Sequence, residues 1–395
     1  MSVSASLTTL PPLSAEEAAH SARLGELIRS RIELAGGWLE FETFMELALY
    51  APGMGYYSAG SAKLGRAGDF VTAPELSDLF SHCVARQCAE ILRATGGGEI
   101  LEFGAGSGRM AVCILETLAA LGRPPERYAI LEVSAELRER QRQRVAALPA
   151  PLRQRVTWLE TLPSTPLRGV LLANEVLDAL PCRPFVLRAA GAHALGVALT
   201  AQGAFVTRER PADAALAAAC AQVLQGLPRP LPEDYRSELC TRIEPWIASV
   251  ADILERGVLL IFDYGLPRAH YYHPERDGGT LRCHFKQRAH EDPLINVGVQ
   301  DISAWVDFTR VATAAHSATL EVLGFATQAA FLLGTGIEAL VAQPADTVSR
   351  ARMASEARRL LLPGEMGEAF KVMALGRRFD AALSGFAHQD LLRLL

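Results

Sequence analysis

Several common signatures are missing from this chain, and each absence narrows what it does. A membrane-crossing helix needs about 18 consecutive apolar residues. No such stretch is free of charge and amide, and the most apolar window, 318–342, is broken by Glu321, Gln328 and Glu338. We therefore expect no membrane span. The seven cysteines are scattered and never spaced as C-x-x-C, which suits reduced thiols rather than a disulfide or zinc framework. Basic residues do not dominate: 39 Lys and Arg stand against 44 Asp and Glu, a net charge of -5. Nucleic-acid binding needs clustered cations, so none is expected. Residues 1–19 hold no Lys or Arg, and Glu16 and Glu17 precede the first Arg. Neither a secretory signal nor a mitochondrial presequence has that composition, and a cytoplasmic location is the expectation. There is no G-x-S-x-G elbow, no H-E-x-x-H and no P-loop, which removes the commonest hydrolase, metalloprotease and nucleotide-phosphate signatures.

Half of the 395 residues are hydrophobic, enough for a large core in two or three domains or one elaborated α/β domain. The most informative segment is Ile100-Leu-Glu-Phe-Gly-Ala-Gly-Ser-Gly-Arg109. A short apolar run carries Glu102, then Gly104, Gly106 and Gly108 alternate, and a helical pattern follows. A second apolar run, 128–131, ends in Glu132. This is strand, glycine turn, helix, strand and acid, a βαβ unit able to hold an adenine nucleoside. Glycine allows positive φ and close approach of a ligand to the backbone. A carboxylate after the second strand can accept both ribose hydroxyls. A dinucleotide site usually reads G-x-G-x-x-G and seats a pyrophosphate. Here the spacing is G-x-G-x-G beside a carboxylate, which suits the phosphate-free, cationic S-adenosylmethionine better. A nicotinamide oxidoreductase is disfavoured on the same ground.

Along the chain we expect a disordered tail over 1–19, an N-terminal helical cap over 20–95, and a doubly wound, Rossmann-like α/β core over 96–265 and 309–380. An insertion of about 185–255 interrupts the core, with antiparallel alternation over 185–207. A substrate or lid loop is expected over 266–308, and a C-terminal tail over 381–395. Core strands are predicted at 99–103, 128–132, 155–159, 169–173, 257–263, 325–331 and 369–376, with helices filling most gaps.

Ligands of open α/β sheets bind beyond the carboxyl ends of the strands. The fourth strand ends in Asn174-Glu175-Val-Leu-Asp178 and the fifth in Phe262-Asp263-Tyr264. Asp178 and Asp263 could each serve only as caps, but a set of acids on this edge also fits transfer to a cationic acceptor. Glu175 and Asp178 are three apart and share a face of a helical turn. An arginine guanidinium effectively keeps its charge, and paired carboxylates can clamp it in bidentate fashion. His270, His273, Cys283, His284 and His290 crowd one region. Their spacing matches no compact zinc pattern, and we expect a lid or substrate-contacting set rather than a metal site.

The chain also resembles the MidA-like methyltransferases (the DUF185 family), relatives of a mitochondrial complex I assembly factor that methylates an arginine. The resemblance is carried by Gly53-Met-Gly-Tyr-Tyr57, Gly68-Asp-Phe-Val-Thr-Ala-Pro-Glu75, the glycine motif, and Asn174-Glu-Val-Leu-Asp-Ala-Leu-Pro181. It continues in Gly279-Thr-Leu-Arg-Cys-His284, Gln300-Asp-Ile-Ser-Ala-Trp-Val-Asp-Phe-Thr309 and Met366-Gly-Glu-Ala-Phe-Lys-Val-Met373. It implies a class I fold that binds S-adenosyl-L-methionine, with Asp69, Thr72, Glu102, Gly104, Gly106, Gly108, Glu132 and Asn174 toward the cofactor. Glu175, Asp178 and Asp263 would then orient the acceptor, an arginine of a protein substrate. The chain departs from the family at Ala105, usually Pro, and at Val176-Leu177, usually two aromatics. The expected partner is a protein substrate, with homodimerisation left open. The competing expectation is an assembly chaperone that holds the cofactor without turnover.

Overall fold

The computed structural model describes residues 10–59 and 72–395. Its centre is an eight-stranded sheet, seven strands of which form one continuous path: β1 (Glu99–Phe103), β2 (Tyr128–Leu131), β3 (Val156–Leu159), β4 (Leu167–Asn174), β5 (Leu254–Leu266), β6 (Glu321–Thr327) and β7 (Phe370–Arg377); the short strand Val306–Asp307 pairs with the end of β5. The seven lie in the order β6-β7-β5-β4-β1-β2-β3. Neighbours are parallel except at β7, which runs antiparallel to both β5 and β6. The doubly wound α/β sheet expected from the sequence is the sheet the chain forms.

Seven helices matter for the site: α1 (Ala15–Leu34), α2 (Phe41–Tyr50), α3 (Asp78–Thr95), α4 (Arg109–Ala120), α5 (Ala135–Ala146), α6 (Ile243–Asp252) and α7 (Phe308–Ser317). Strand residues alternate between two buried faces. Ile100, Val170, Leu172, Val258 and Leu260 pack with α3 and α4. Leu101, Leu171, Ala173, Leu259 and Ile261 pack with α6 and α7. Register then fixes the functional edge. Phe103 lies opposite both Leu131 and Ala173, and Asn174 lies opposite Phe262. Strands β1, β2 and β4 thus reach their carboxyl ends side by side, and β5 continues beside them to Leu266. The strand order reverses between β1 and β4, which opens a crevice there.

The surroundings differ from expectation in several places. The chain is not loose up to residue 19: α1 starts at Ala15, where the Ser14 hydroxyl accepts from Glu17 N and the Glu17 carboxylate accepts from Ser14 N, a reciprocal cap. Helices α1 and α2 pack mainly on a second, antiparallel sheet rather than on the central one. That sheet is built from Leu39–Glu40, Arg183–Arg188, Gly191–Leu199, Phe205–Pro211 and Arg236–Leu239. Helix α3 belongs to the core layer, not to a cap. The predicted strand 325–331 is instead β6 ending at Thr327, whose hydroxyl accepts from Ala330 N and starts a helix. The 266–308 segment is not one loop. It holds a three-stranded sheet, Arg282–Phe285, Arg288–His290 and Asp301–Ser303. The last residues do not trail away either: Gly385 N donates to Gln87 and Leu391 N to the Phe325 carbonyl.

Close backbone approach between strands makes one position intolerant. A Cβ added at Gly169 in β4, where φ is +138°, would lie 2.1 Å from the Glu99 carbonyl oxygen. Gly169→Ala should cost about 3 kcal/mol, the upper end of local backbone strain. Urea unfolding measures this, and a variant as stable as the parent would contradict the strand spacing.

Candidate active site

The turn after β1 takes the conformation its glycines permit: φ is +62° at Gly104, +52° at Gly106 and +78° at Gly108. Gly104 N donates to the Leu131 carbonyl at 2.9 Å, which joins the turn to β2. Gly104 and Gly106 line a cavity of about 310 Å³ at the carboxyl edge of the sheet. Gly108 has another job. It starts α4 and packs against α5, where an added Cβ would stand 3.2 Å from Gln141 Cγ.

Glu132 also lines the cavity. Its Oε1 accepts from Ser134 N at 3.0 Å and its Oε2 from Gln141 Nε2 at 3.0 Å. Burial raises its pKa above the ordinary carboxylate range. Sequence reasoning missed Gln141, which is fully buried. Its amide also donates to the Gly106 carbonyl at 2.9 Å and accepts from Trp158 Nε1 at 3.0 Å. One side chain therefore ties the turn, the acid and β3 together. Val133, also missed, faces the cavity at 68% exposure and offers an apolar surface beside the acid. Only its place directly after Glu132 hinted at it.

Glu102 lines the base of the same cavity and accepts from the Tyr128 hydroxyl at 2.7 Å. Burial pushes its pKa up to about 7. Thr72 lies on the rim. The following Glu75 accepts from the Ser107 hydroxyl, and its carbonyl accepts from Arg109 at 2.7 Å, so this segment is stitched to the glycine turn. Asp69 falls outside the described residues.

The acceptor end is built from β4, β5 and the inserted segments. Glu175 is half-buried, lines the cavity and holds φ at +53°, a strained value for a residue with a side chain. Its N donates to the Phe262 carbonyl at 2.9 Å. Burial, then the neighbouring Asp178, pushes its pKa up to about 8. Asp178 also lines the cavity, and its buried Oδ1 has no hydrogen-bond partner among the described residues. Burial and the charges of Asp263 and Asp301 push its pKa well up. Asn174 lines the wall with a buried, unpartnered Oδ1, while its amide nitrogen donates to Glu175 at 3.3 Å.

Asp263 corrects the expectation that three acids face the acceptor. It is fully buried and does not line the cavity. Its Oδ2 accepts from Leu177 N at 2.9 Å and Asp178 N at 3.3 Å, and its Oδ1 from Tyr264 N at 3.0 Å. It caps the turn that carries Asp178, which was the blander reading of a strand-end acid. Two residues not singled out from sequence take its place on the cavity: Asp301, and Tyr57, whose hydroxyl donates to it at 2.7 Å. Of the histidine-rich set only His284 lines the cavity. Among the described residues no three His, Cys, Asp or Glu side chains converge as metal ligands.

Comparison with known proteins decides the family. A model of S-adenosyl-L-methionine-dependent methyltransferases, Methyltransf_28, matches residues 83–326. The chain belongs to this MidA-like family. A COG1565 superfamily member from Burkholderia thailandensis, solved bound to S-adenosyl-homocysteine, is 42% identical over 98% of this chain and 100% of that one, with a TM-score of 0.93. The protein arginine methyltransferase NDUFAF7 homolog of Drosophila melanogaster, mitochondrial, is 29% identical over 96% of this chain and 91% of its own. The human mitochondrial protein arginine methyltransferase NDUFAF7 is 26% identical over 84% and 78%. No helix among the described residues is long and apolar enough to cross a membrane.

The residues present fit S-adenosyl-L-methionine. The glycine turn leaves room at Gly104, where an added Cβ would meet no described residue closer than Val176 Cγ2 at 3.9 Å. Glu132 stands beside the exposed face of Val133, as a sugar and its base require. The acid-lined walls suit a sulfonium and an ammonium. This methyltransferase would thus use Gly104, Gly106, Glu132 and Asn174 to hold a donor that supplies an electrophilic methyl group.

Crowded acids also mark the stability of the fold. An unfolded glutamate titrates near ~4.3, whereas folded Glu175 titrates at about 8. Between those values the native state binds more protons, so its stability falls as pH rises. Glu175→Gln should raise the thermal midpoint by about 2 °C or more at pH ~8.5 and leave it nearly unchanged at pH ~4.5. Scanning calorimetry at both pH values checks this, and an equal shift at both would refute it.

Proposed function

We propose that this methyltransferase moves a methyl group from S-adenosyl-L-methionine to an arginine side chain of a protein. One observation carries the reading: the acceptor end of the cavity is lined by Glu175, Asp178 and Asp301, and among the described residues the one arginine on its wall, Arg109, is engaged by Asp78 at 2.8 Å and by the Glu75 carbonyl. The names of the NDUFAF7 relatives, protein arginine methyltransferases, support the same choice. A guanidinium has no available lone pair until its charge is localised and a proton leaves. Carboxylates on either side of the planar group hold it in line. Burial and Asp178 raise the Glu175 pKa to about 8 in the empty site; a guanidinium bound beside it favours the ionised form, and that carboxylate accepts the proton that the nitrogen gives up as it is methylated. Asp178 balances the remaining charge.

Two measurements test this. Glu132→Ala should weaken S-adenosyl-homocysteine binding by about 1–3 kcal/mol, the cost of leaving buried polar partners unmet; unchanged calorimetric affinity would count against the cofactor role. With tritiated S-adenosyl-L-methionine and a protein extract, label should appear in methyl-arginine and vanish in Glu175→Ala. Cofactor binding without transfer to any protein would instead identify a chaperone that holds the cofactor.

A further inference from the structure

We propose that Asp301, oriented by Tyr57, forms with Asp178 a two-sided clamp for a planar side-chain cation, so that the acceptor site selects a guanidinium over an ammonium. This rests on the arginine reading above and extends it to residues outside the methyltransferase core. Asp301 lies in the inserted sheet, paired in register with His284, and Tyr57 lies in the segment after α2. The Tyr57 hydroxyl fixes Oδ1 of Asp301 at 2.7 Å. The other oxygen has His284 Nδ1 at 3.9 Å, beyond hydrogen-bond reach. Asp301 is only 4% exposed and still lines the cavity.

Asp178 is 8% exposed, and its Oδ1 is a buried acceptor with no partner among the described residues. Leaving such an atom unmet is costly, and a bound donor removes that cost. The two acids are held relative to each other by main chain, because Ala304 N, one residue beyond the Asp301–Ser303 strand, donates to the Asp178 carbonyl at 3.0 Å. Among the described residues no three His, Cys, Asp or Glu side chains gather as metal ligands would. A planar guanidinium fork, by contrast, can engage two acids at once. Tyr50 and Tyr57, stacked with centroids 5.5 Å apart, and Tyr264 complete the wall. Such faces favour a delocalised cation laid flat. A point-like ammonium would satisfy one acid and leave the other unmatched.

The test uses the full chain saturated with S-adenosyl-homocysteine and two probes, ethylguanidinium and n-butylammonium, titrated by NMR. Ethylguanidinium should bind about tenfold tighter, the difference between a bidentate and a single contact. Asp301→Asn should weaken it about tenfold, and Tyr57→Phe about threefold, with S-adenosyl-homocysteine affinity unchanged. If Asp301→Asn loses S-adenosyl-homocysteine binding through misfolding, Tyr57→Phe, which keeps its ring on Tyr50, carries the comparison. Undiminished ethylguanidinium binding in variants that still hold S-adenosyl-homocysteine overturns the clamp, and so does equal binding of the two probes by the parent chain. These results leave arginine methylation standing if the extract assay still labels methyl-arginine. Absence of that label in the parent chain overturns both.

Discussion

Three parallel strands that stop at one level, beside a fourth that runs four residues past it, are the constraint on which the site depends. Because Phe103, Leu131 and Ala173 share a register, and Asn174 pairs with Phe262, the residues that follow have nowhere to go but the same edge. Acids placed there cannot spread apart. The protein meets some of their needs itself: Asp263 takes three main-chain N–H groups, Glu132 takes Ser134 and Gln141, and Glu102 takes Tyr128. Asp178 and Asn174 are left each with a buried oxygen unmet. The edge thereby combines polar groups already met by the protein with polar oxygens left for a ligand. The apolar layers on both sheet faces offset the destabilisation, as marginal stability allows.

The cofactor half of the site was legible because each of its parts is local. Three alternating glycines, an acid two residues upstream and an acid closing the next strand can be read within about thirty residues, and the turn chemistry that demands them is backbone chemistry. The sheet was legible for a similar reason. Its strands are short apolar runs bounded by turn residues, and helical periodicity fills the gaps. The misplacement of β6 has a local cause: Phe331 and Leu332 prolong an apolar run, but the Thr327 hydroxyl has already begun a helix.

The acceptor half was only partly legible. Glu175 and Asp178 follow a strand and could be placed. Asp301 and Tyr57 lie more than two hundred residues apart, in segments without periodicity, and meet only when the inserted sheet and the α2 region fold onto the edge. Gln141 looks like one more polar residue on a helix rich in arginine and glutamate; nothing local marks it as buried. Asp263 was misjudged because strand-end acids look alike until their donors are known.

Gln141 has a consequence for how this enzyme can change. Its side chain touches the glycine turn, Glu132 and Trp158 together, and it sits behind the cavity wall, bracing residues that line it without lining it itself. A shift of α5, from a surface substitution or from a protein leaning on that helix, would move the two ends of the donor's cradle as one body. Tuning of donor affinity is thereby handed to a surface remote from the chemistry, while the acceptor jaws stay free to diversify.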